Sequence, residues 1–560
     1  MRDVVRMRGD HAIAIILVLG LHSFARSALN IEEAGIKIVY PPGHRTQTIK
    51  WALADFGIEK YGGQLLGNVF YPTEDTSFYS ANVKPPKCVP TDAQYGCTLF
   101  SKCTGFSLPR NDGNQIIMLL DRGPARTEDP CYFVKKVYYA QQAGADAVLV
   151  VNDVAGADLS TAIAPDEEVF AKMAEDITIS AGLISKEDGD IIKDMLKSGN
   201  AVTLLLNWTS ALPQKAKVSW ELWSNSNDEC GTLCDEQLAF VRDMKATAKK
   251  LQDSGLATFS PHYILFACPA QYLDTPECQS QCIMKGAFCA QDPDGSVAEG
   301  YAGLDVLKIN MMQLCFFQVA NTSGQPDLWW DYVDMFGRNC TMKDKQYTEE
   351  CARRVFVSVG GPALSMNTGL TLWEQCIPNV TALAQNTTAR VPLLEQEQAL
   401  QRGSDSMNPV SIMPTVRING VQYRGKHDAA SVTRAICAAF PTGSEPALCN
   451  DRAVSDNECL VDAIGYRRCR VRTSRAVNSC NNTFSGSGYK CVCGKGYKRG
   501  TDDLSGGETC DDENECINHS YIPRPGGPTE KPACSCSRCA CINTEGGFNC
   551  TGPLPNKCTA

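Results

Sequence analysis

Ile116-Ile117-Met118-Leu119-Leu120-Asp121-Arg122-Gly123 and Ala145-Asp146-Ala147-Val148-Leu149-Val150 are two short apolar runs, and Tyr132–Gly144 lies between them. In that interval Phe133, Val137, Ala140 and Ala143 recur at helical spacing, so the stretch predicts strand, helix, strand. Gly144 suits the C-terminal cap of the helix, because glycine enters the left-handed region without steric cost. Leu65–Tyr71 and Val202–Leu206 are further apolar runs of strand length. Thr178–Ile184 is another strand, and Ser185–Lys197 follows it as a helix. Runs apolar throughout suit strands covered on both faces. Residues 33–207 therefore read as one α/β domain.

This order resembles the protease-associated (PA) domain. The resemblance rests on a strand ending in Arg122-Gly123, then Cys131-Tyr132-Phe133, then a helix ending Ala140-Gln141-Gln142-Ala143-Gly144-Ala145. One departure stands beside them. Pro124–Pro130 separate Gly123 from Cys131, where the family usually has a single residue. Arg122 is the candidate ligand contact, since a guanidinium presents a rigid fork of donors to carbonyls or a carboxylate. The alternative for it is a structural ion pair with Asp121 or Glu128.

Residues 208–450 form a central domain with dispersed cysteines. His262–Pro269 reads as a strand running into Cys268-Pro269, and Met413-Pro414 precedes a second strand, Thr415-Val416-Arg417-Ile418. A cysteine at one strand's end and a proline, often cis, before a later strand resemble a thioredoxin fold. The helical Trp329–Phe336 region would belong to an insertion. Disulfide exchange needs an activated thiolate and usually a nearby resolving cysteine. Gln271 stands where the partner of Cys268 belongs. The pairs Cys230/Cys234 and Cys278/Cys282 have the wider gap of structural bridges. The domain reads as a structural shell, and a lumenal redox protein is the alternative.

The C-terminal residues carry a metal signature. Asp512-Glu513-Asn514-Glu515-Cys516 and Cys541-Ile542-Asn543-Thr544-Glu545-Gly546-Gly547-Phe548-Asn549-Cys550 are the two halves of a calcium-binding EGF-like module. Calcium is a hard cation that collects oxygen ligands. Asp512, Glu515 and Asn543 offer three, and backbone carbonyls offer more. Phe548 is expected to pack against a neighbouring module. This module spans 512–558 and is irregular, because Cys534, Cys536 and Cys539 are extra. Before it, Cys459, Cys469, Cys480, Cys491, Cys493 and Cys510, with Gly496-Tyr497 closing the set, resemble a first EGF-like module over 455–510. The usual EGF pairing joins first to third, second to fourth and fifth to sixth, although spacing alone leaves other pairings open. Ser455 replaces the acidic first ligand, so no calcium is assigned there.

The compartment follows from the start of the chain and from its cysteines. Arg2, Arg6 and Arg8, an apolar run from Ala12 to Leu21, and Ala25-Arg26-Ser27 predict a secretory signal peptide over 1–27. The sequence holds 29 cysteines, which suits an oxidising lumen. Candidate glycosylation sites are Asn207, Asn321, Asn379, Asn386, Asn481 and Asn518. Asn339 and Asn549 also start sequons, but a central cysteine makes them poor acceptors. A net charge of −10 argues against nucleic-acid binding. No His-Glu-x-x-His or Gly-x-Ser-x-Gly motif occurs, and the four histidines beyond the signal peptide (His44, His262, His427, His519) show no zinc spacing. An enzyme is not expected.

The whole is multidomain: an α/β PA domain, an α/β cysteine-rich central domain that resembles a thioredoxin fold with a helical insertion, and small disulfide-rich β EGF-like modules. That succession resembles the vacuolar sorting receptors of plants and algae. Glu221–Cys230, Leu328–Val333, Pro414-Thr415 and Tyr423-Arg424-Gly425-Lys426 are close to the family. The resemblance implies a calcium-dependent type I receptor that binds soluble cargo by short sorting peptides in the Golgi and carries it to a prevacuolar compartment. It also implies peptide binding on the PA domain, at Phe56, Gly57, Tyr61, Gly62, Arg122 and Gly123. Family members carry a membrane helix and a cytosolic tail. Neither is found up to Ala560, so a membrane role needs a segment beyond it. Trp51 stands where the family has a cysteine, which implies different PA-domain disulfides. The competing readings are a secreted or cell-surface EGF-containing adhesion or matrix-type protein and the lumenal redox protein.

Overall fold

The computed structural model describes residues 35–44, 48–79, 86–109, 115–123, 131–161, 164–165, 167–297, 299–361, 363–364, 366–384, 386, 388–403, 409–451, 454, 459, 464–471, 478–484, 488–501, 507–514, 516 and 540–551. The signal segment 1–27, the loop 124–130, Glu515, Asn518 and the extra cysteines 534, 536 and 539 lie outside the described residues. The chain divides into two compact units, Met1–Tyr61 with Leu65–Leu448, and Gly62–Gln64 with Cys449–Ala560.

The PA half of the first unit is built on β1 (Ile36–Tyr40), β2 (Thr48–Ile49), β3 (Trp51–Leu53), β4 (Gln64–Phe70), β5 (Gln115–Asp121), β6 (Ala147–Val151), β7 (Ser180–Ile184) and β8 (Thr203–Asn207). Their order in the sheet is β2-β1-β8-β4-β5-β6-β7-β3. Strands β4 to β7 run parallel, whereas β1, β2 and β3 pair antiparallel with their neighbours. Every residue of β6 and β7 is buried, as parallel strands covered on both faces require. Helices α1 (Phe133–Gln142), α2 (Glu168–Asp176) and α3 (Lys186–Lys197) connect them. α1 buries Val134, Val137 and Ala140, and Gly144 closes it at φ +94°. Ser185 caps α3, its hydroxyl accepting the Asp188 N–H at 3.0 Å. The short strands β1 to β3, of which β2 and β3 are the sheet's edges, and α2 were not legible as apolar runs. Trp51 is buried at 1% exposure, its ring 5.2 Å from that of Trp208. The disulfides here join Cys88 to Cys103 and Cys97 to Cys131.

The central half places β9 (Val218–Ser224), α4 (Thr232–Asp253) and β10 (Ala257–Tyr263) as a parallel β–α–β unit. A helical insertion follows, including α5 (Gly303–Thr322), α6 (Leu328–Asn339), α7 (Glu349–Gly360), α8 (Met366–Cys376) and α9 (Pro392–Arg402). The hairpin β11 (Thr415–Ile418) and β12 (Val421–Gln422) then pairs antiparallel beside β9, and α10 (Ala429–Ala438) closes the domain. This is the thioredoxin-like order, and the Met413–Pro414 bond is cis. The strand expected over 262–269 ends earlier, at Tyr263. α5 is buried on nearly all sides, with Phe316 stacked on Tyr332 at 4.1 Å, and Cys315–Cys376 and Cys340–Cys351 tie the insertion together. Cys230 pairs with Cys234. Cys278 does not pair with Cys282. Instead Cys268 bonds Cys278 and Cys282 bonds Cys289, because a two-strand ribbon sets Cys282 directly opposite Cys289.

Among the described residues the second unit holds a short helix, Ile464–Arg468, and three hairpins too small to bury a core without cross-links. They are β13 (Ser479–Asn482) with β14 (Tyr489–Val492), β15 (Tyr497–Thr501) with β16 (Glu508–Asp512), and β17 (Ala540–Thr544) with β18 (Gly547–Thr551). Disulfides join Cys459 to Cys480, Cys469 to Cys491, Cys493 to Cys510 and Cys516 to Cys541.

Candidate functional site

Parallel strands end together, and in open α/β sheets ligands collect at their C-terminal ends. Here β5 ends in Asp121-Arg122-Gly123 and β6 in Asn152-Asp153. The Arg122 N–H donates to the Val151 carbonyl at 3.0 Å, which continues the ladder past the strand. The Arg122 side chain is 42% exposed. Its Nη1 donates to Asn152 Oδ1 at 2.8 Å and lies 3.7 Å from Asp153 Oδ1. The guanidinium also sits 6.0 Å from the centre of the Phe133 ring. Among the described residues Asp121 is not its partner. Asp121 faces the other way, accepting from Lys193 at 2.5 Å and Tyr71 at 2.8 Å, and Glu128 lies outside the described residues. Arg122 is therefore oriented by Asn152 and Asp153 and still presents an exposed face. Gly123 leaves room beside it, since an added Cβ would meet only Asp153 Oδ2, at 3.6 Å.

The sequence missed the group that supports this edge. Lys136 of α1 is 0% exposed. Its ammonium donates to the carbonyls of Tyr95 and, at 3.1 Å, Asp121, and lies 3.7 Å from Cys97 Sγ. A lysine spaced i−4 from Ala140 and i+3 from Phe133, on an otherwise apolar face, was the available signal.

The six PA-domain residues expected to share a peptide site are not brought together. Phe56 and Gly57 lie beyond β3, level with the start of β7, where a Cβ on Gly57 would meet the Ile179 carbonyl at 2.4 Å. Arg122 lies at the finish of β5, so a strand's length, roughly 15 Å, separates them. Phe56 and Tyr61 are 3% and 1% exposed and offer no ring surface to a peptide. They meet another segment singled out in the sequence, Tyr423-Arg424-Gly425-Lys426. Tyr61 Oη accepts the Arg424 N–H at 3.0 Å, and the Gly57 carbonyl accepts the Lys426 N–H at 2.7 Å. The Tyr61 and Tyr423 rings lie 5.4 Å apart. These residues form the seam between the PA and central halves. Gly62 follows Tyr61 at φ +78°.

The seam holds two buried carboxyls. Burial pushes Glu59 up to about 8, and hydrogen bonds from Ala181, Ser180 and Trp208 offset only part of that. Burial likewise pushes Asp55 up to about 7 against the opposing charges of Arg424 and His427. Beside Asp55 opens a cleft of about 980 Å³ between α2, α4 and α6.

In the second unit Asp512 ends β16 and faces the β17–β18 hairpin. Its Oδ2 accepts from Asn543 Nδ2 at 2.7 Å, and its Oδ1 accepts the Gly546 N–H at 2.5 Å. Asn543 Oδ1 is buried without a hydrogen-bond partner. An orphaned amide oxygen beside a carboxylate is the donor set a calcium ion suits. The inter-module packing seen is Tyr497 on Gly546, where an added Cβ would approach the Tyr497 ring to 2.9 Å, while Phe548 lies opposite Asn543 in the hairpin register. Of the glycosylation candidates, Asn321, Asn379, Asn386 and Asn481 are exposed, and Asn207 is half-buried with its Oδ1 accepting from Thr209.

Two family models match the chain. The vacuolar sorting receptor thioredoxin-like domain matches residues 218–437, and the PA domain matches 83–192. Vacuolar-sorting receptor 7 of Arabidopsis thaliana is 34% identical over 569 residues, covering 93% of this chain and 82% of that protein. Vacuolar-sorting receptor 3 of Arabidopsis thaliana is 34% identical over 89% of this chain and 79% of that protein. Vacuolar-sorting receptor 1 of Pisum sativum is 33% identical over 96% of this chain and 86% of that protein.

Proposed function

This chain belongs to the vacuolar-sorting receptor family, and from that premise we propose that it is a non-enzymatic cargo receptor of the secretory pathway. It holds an extended sorting peptide of a soluble cargo protein at the Arg122 edge of its PA domain. The observation that supports this reading best is the exposed Arg122 guanidinium, aimed by Asn152 and Asp153 at the C-terminal end of a parallel sheet. A fork in that position suits peptide carbonyls or a terminal carboxylate. The Cys268 thiol is tied to Cys278, which fits a structural role for the central domain.

Arg122→Ala is expected to weaken binding of a cargo sorting peptide by about 10- to 100-fold, the value of a hydrogen bond to a charged group. Arg122→Lys should restore only part of this, because an ammonium lacks the fork. Peptide titration by calorimetry checks it, and equal affinities in the three proteins would move the site elsewhere. The proposal includes delivery to a prevacuolar compartment and, for a chain continuing into a membrane helix, type I topology.

The calcium site joins the same reading. Asp512, Asn543 and Glu515 would hold the ion, which would brace the joint between the last two modules. Asp512→Ala removes a charged ligand and is expected to weaken calcium binding at least tenfold. Calorimetric calcium affinity is the measurement, and an unchanged value sinks the assignment. Chelation should also speed proteolysis between Cys510 and Cys516.

A further inference from the structure

We propose that the loop between the Cys282–Cys289 ribbon and α5 of the central half binds a calcium ion through Asp292 and Asp294, at a site separate from the C-terminal module. The site stands whether or not cargo is held at the Arg122 edge. Asp292, Asp294 and Ser296 recur at alternate positions in Asp292-Pro293-Asp294-Gly295-Ser296. A calcium loop presents its first oxygen ligands at that spacing, although glycine stands fourth here and not sixth.

Two neighbouring acids would not by themselves make a site. The placement of Asp292 does more. It is 8% exposed. Its Oδ1 accepts the Gly295 N–H at 2.9 Å, and its Oδ2 is buried without a hydrogen-bond partner. The Asp292 and Asp294 carboxyls lie within hydrogen-bonding range of one another. Among the described residues no lysine, arginine or histidine forms an ion pair with either. Facing carboxylates repel when both are ionised, and only a shared proton or a cation relieves that. The loop nonetheless holds Asp294 in this position. Its Oδ1 accepts the Ser296 N–H at 2.8 Å, and its Oδ2 lies over Gly300, where an added Cβ would collide with it. A second unmatched acceptor stands at the base of the same loop. Gln281 Oε1 is buried without a partner, while the Gln281 carbonyl takes the Ala290 N–H at 3.1 Å. Its Cγ would lie 2.9 Å from a Cβ on Gly303, the first residue of α5. Calcium takes carboxylate and neutral oxygens in an irregular shell, whereas magnesium demands a near-octahedral one, so this donor set suits calcium.

The test is equilibrium dialysis of radioactive calcium against the whole lumenal chain, with Asp512→Ala and Asp292→Asn as single and double variants. Wild type should bind two ions, each single variant one and the double variant none. Gly300→Ala, which crowds Asp294 without changing a charge, should weaken binding at least tenfold in the Asp512→Ala background. A thermal readout guards against a misfolded variant. In chelator the double variant should unfold at a temperature no lower than Asp512→Ala alone, because the new amide can donate to Asp294. Calcium should then raise the midpoint of Asp512→Ala and leave that of the double variant unmoved. One ion in wild type, lost in Asp512→Ala, overturns the proposal, and the two carboxyls then share a proton. A midpoint of Asp512→Ala indifferent to calcium overturns it as well. One ion kept in Asp512→Ala and lost in Asp292→Asn removes the assignment in the C-terminal module and leaves this one standing.

Discussion

Raising the pH from about 5 to about 9 is expected to destabilise the α/β unit, and Glu59 is the main reason. Glu59 is 1% exposed. Its Oε2 accepts from Trp208 Nε1 at 2.9 Å, and its Oε1 from the Ala181 N–H at 3.3 Å. Burial outweighs both bonds and lifts the carboxyl from 4.5 to about 8. The unfolded chain releases this proton near 4.5, whereas the folded chain holds it to about 8. Between those values the folded state binds more protons, so stability is full below the lower one and is lost as pH rises through the upper one. Asp55 acts with the same sign, between 3.8 and about 7. The Glu59 shift alone corresponds to something on the order of 3–5 kcal/mol at the alkaline end. Denaturant unfolding followed by tryptophan fluorescence measures it, with Trp208 as a reporter beside the group. Glu59→Gln cannot ionise and should flatten most of the slope, even where it lowers stability overall. A wild-type chain that gains stability across this window contradicts the assignment, as does a Glu59→Gln variant with an unchanged slope.

The legibility of the chain follows from what each residue's neighbours are. Strands β4 to β8 were readable because both faces of a central strand are buried, which leaves unbroken runs such as Ala147–Val151. Strands β1 to β3 were not, because two to five residues are too few to show a period. Trp51 read as an oddity in place of a cysteine, yet it is core, packed on Trp208. The candidate peptide site was half legible. Arg122 was found through its place at a strand end. Phe56 and Tyr61 were grouped with it through the family resemblance, but sequence carries no sign of the opposite wall. That wall is Tyr423-Arg424-Gly425-Lys426, more than 360 residues along the chain from Tyr61. Gly57 and Gly425 were equally ambiguous. Each permits close backbone approach, and a Cβ on Gly425 would come within 3.1 Å of the Gly57 carbonyl, so the close partner is this chain itself. Cysteine pairing in the central domain depended on the same kind of fact, since the ribbon that opposes Cys282 to Cys289 is invisible in spacing.

Lys136→Met is expected to abolish most peptide binding at the Arg122 edge while leaving calcium binding unchanged. Methionine keeps the length and apolar stem of lysine and removes only the ammonium. That ammonium donates to the Asp121 carbonyl, one residue before Arg122, and to the Tyr95 carbonyl, two residues before the Cys97–Cys131 bridge. One buried charge thus fixes the last turn of β5 to the loop that anchors the start of α1. The close fit depends on Gly96, whose added Cβ would meet Leu120 Cδ1 at 2.8 Å and Lys136 Cβ at 3.4 Å. Without the ammonium two carbonyls lose a charged donor, for a loss of roughly 2–4 kcal/mol. Released, the Asp121–Gly123 segment no longer holds the Arg122 fork in one direction, and affinity should fall at least tenfold. A general loss of stability could mimic this, so Ile192→Ala in α3 is the control. It opens a cavity in the same sheet's cover at similar cost and leaves the Lys136 ammonium and its bonds to the Asp121 and Tyr95 carbonyls in place. Calorimetry on both variants, at a temperature where both are folded, separates the two accounts. Equal peptide affinity in Lys136→Met and Ile192→Ala would mean that Lys136 stabilises the domain without positioning Arg122. A selective loss in Lys136→Met shows that the edge binds through a fork held in place from beneath.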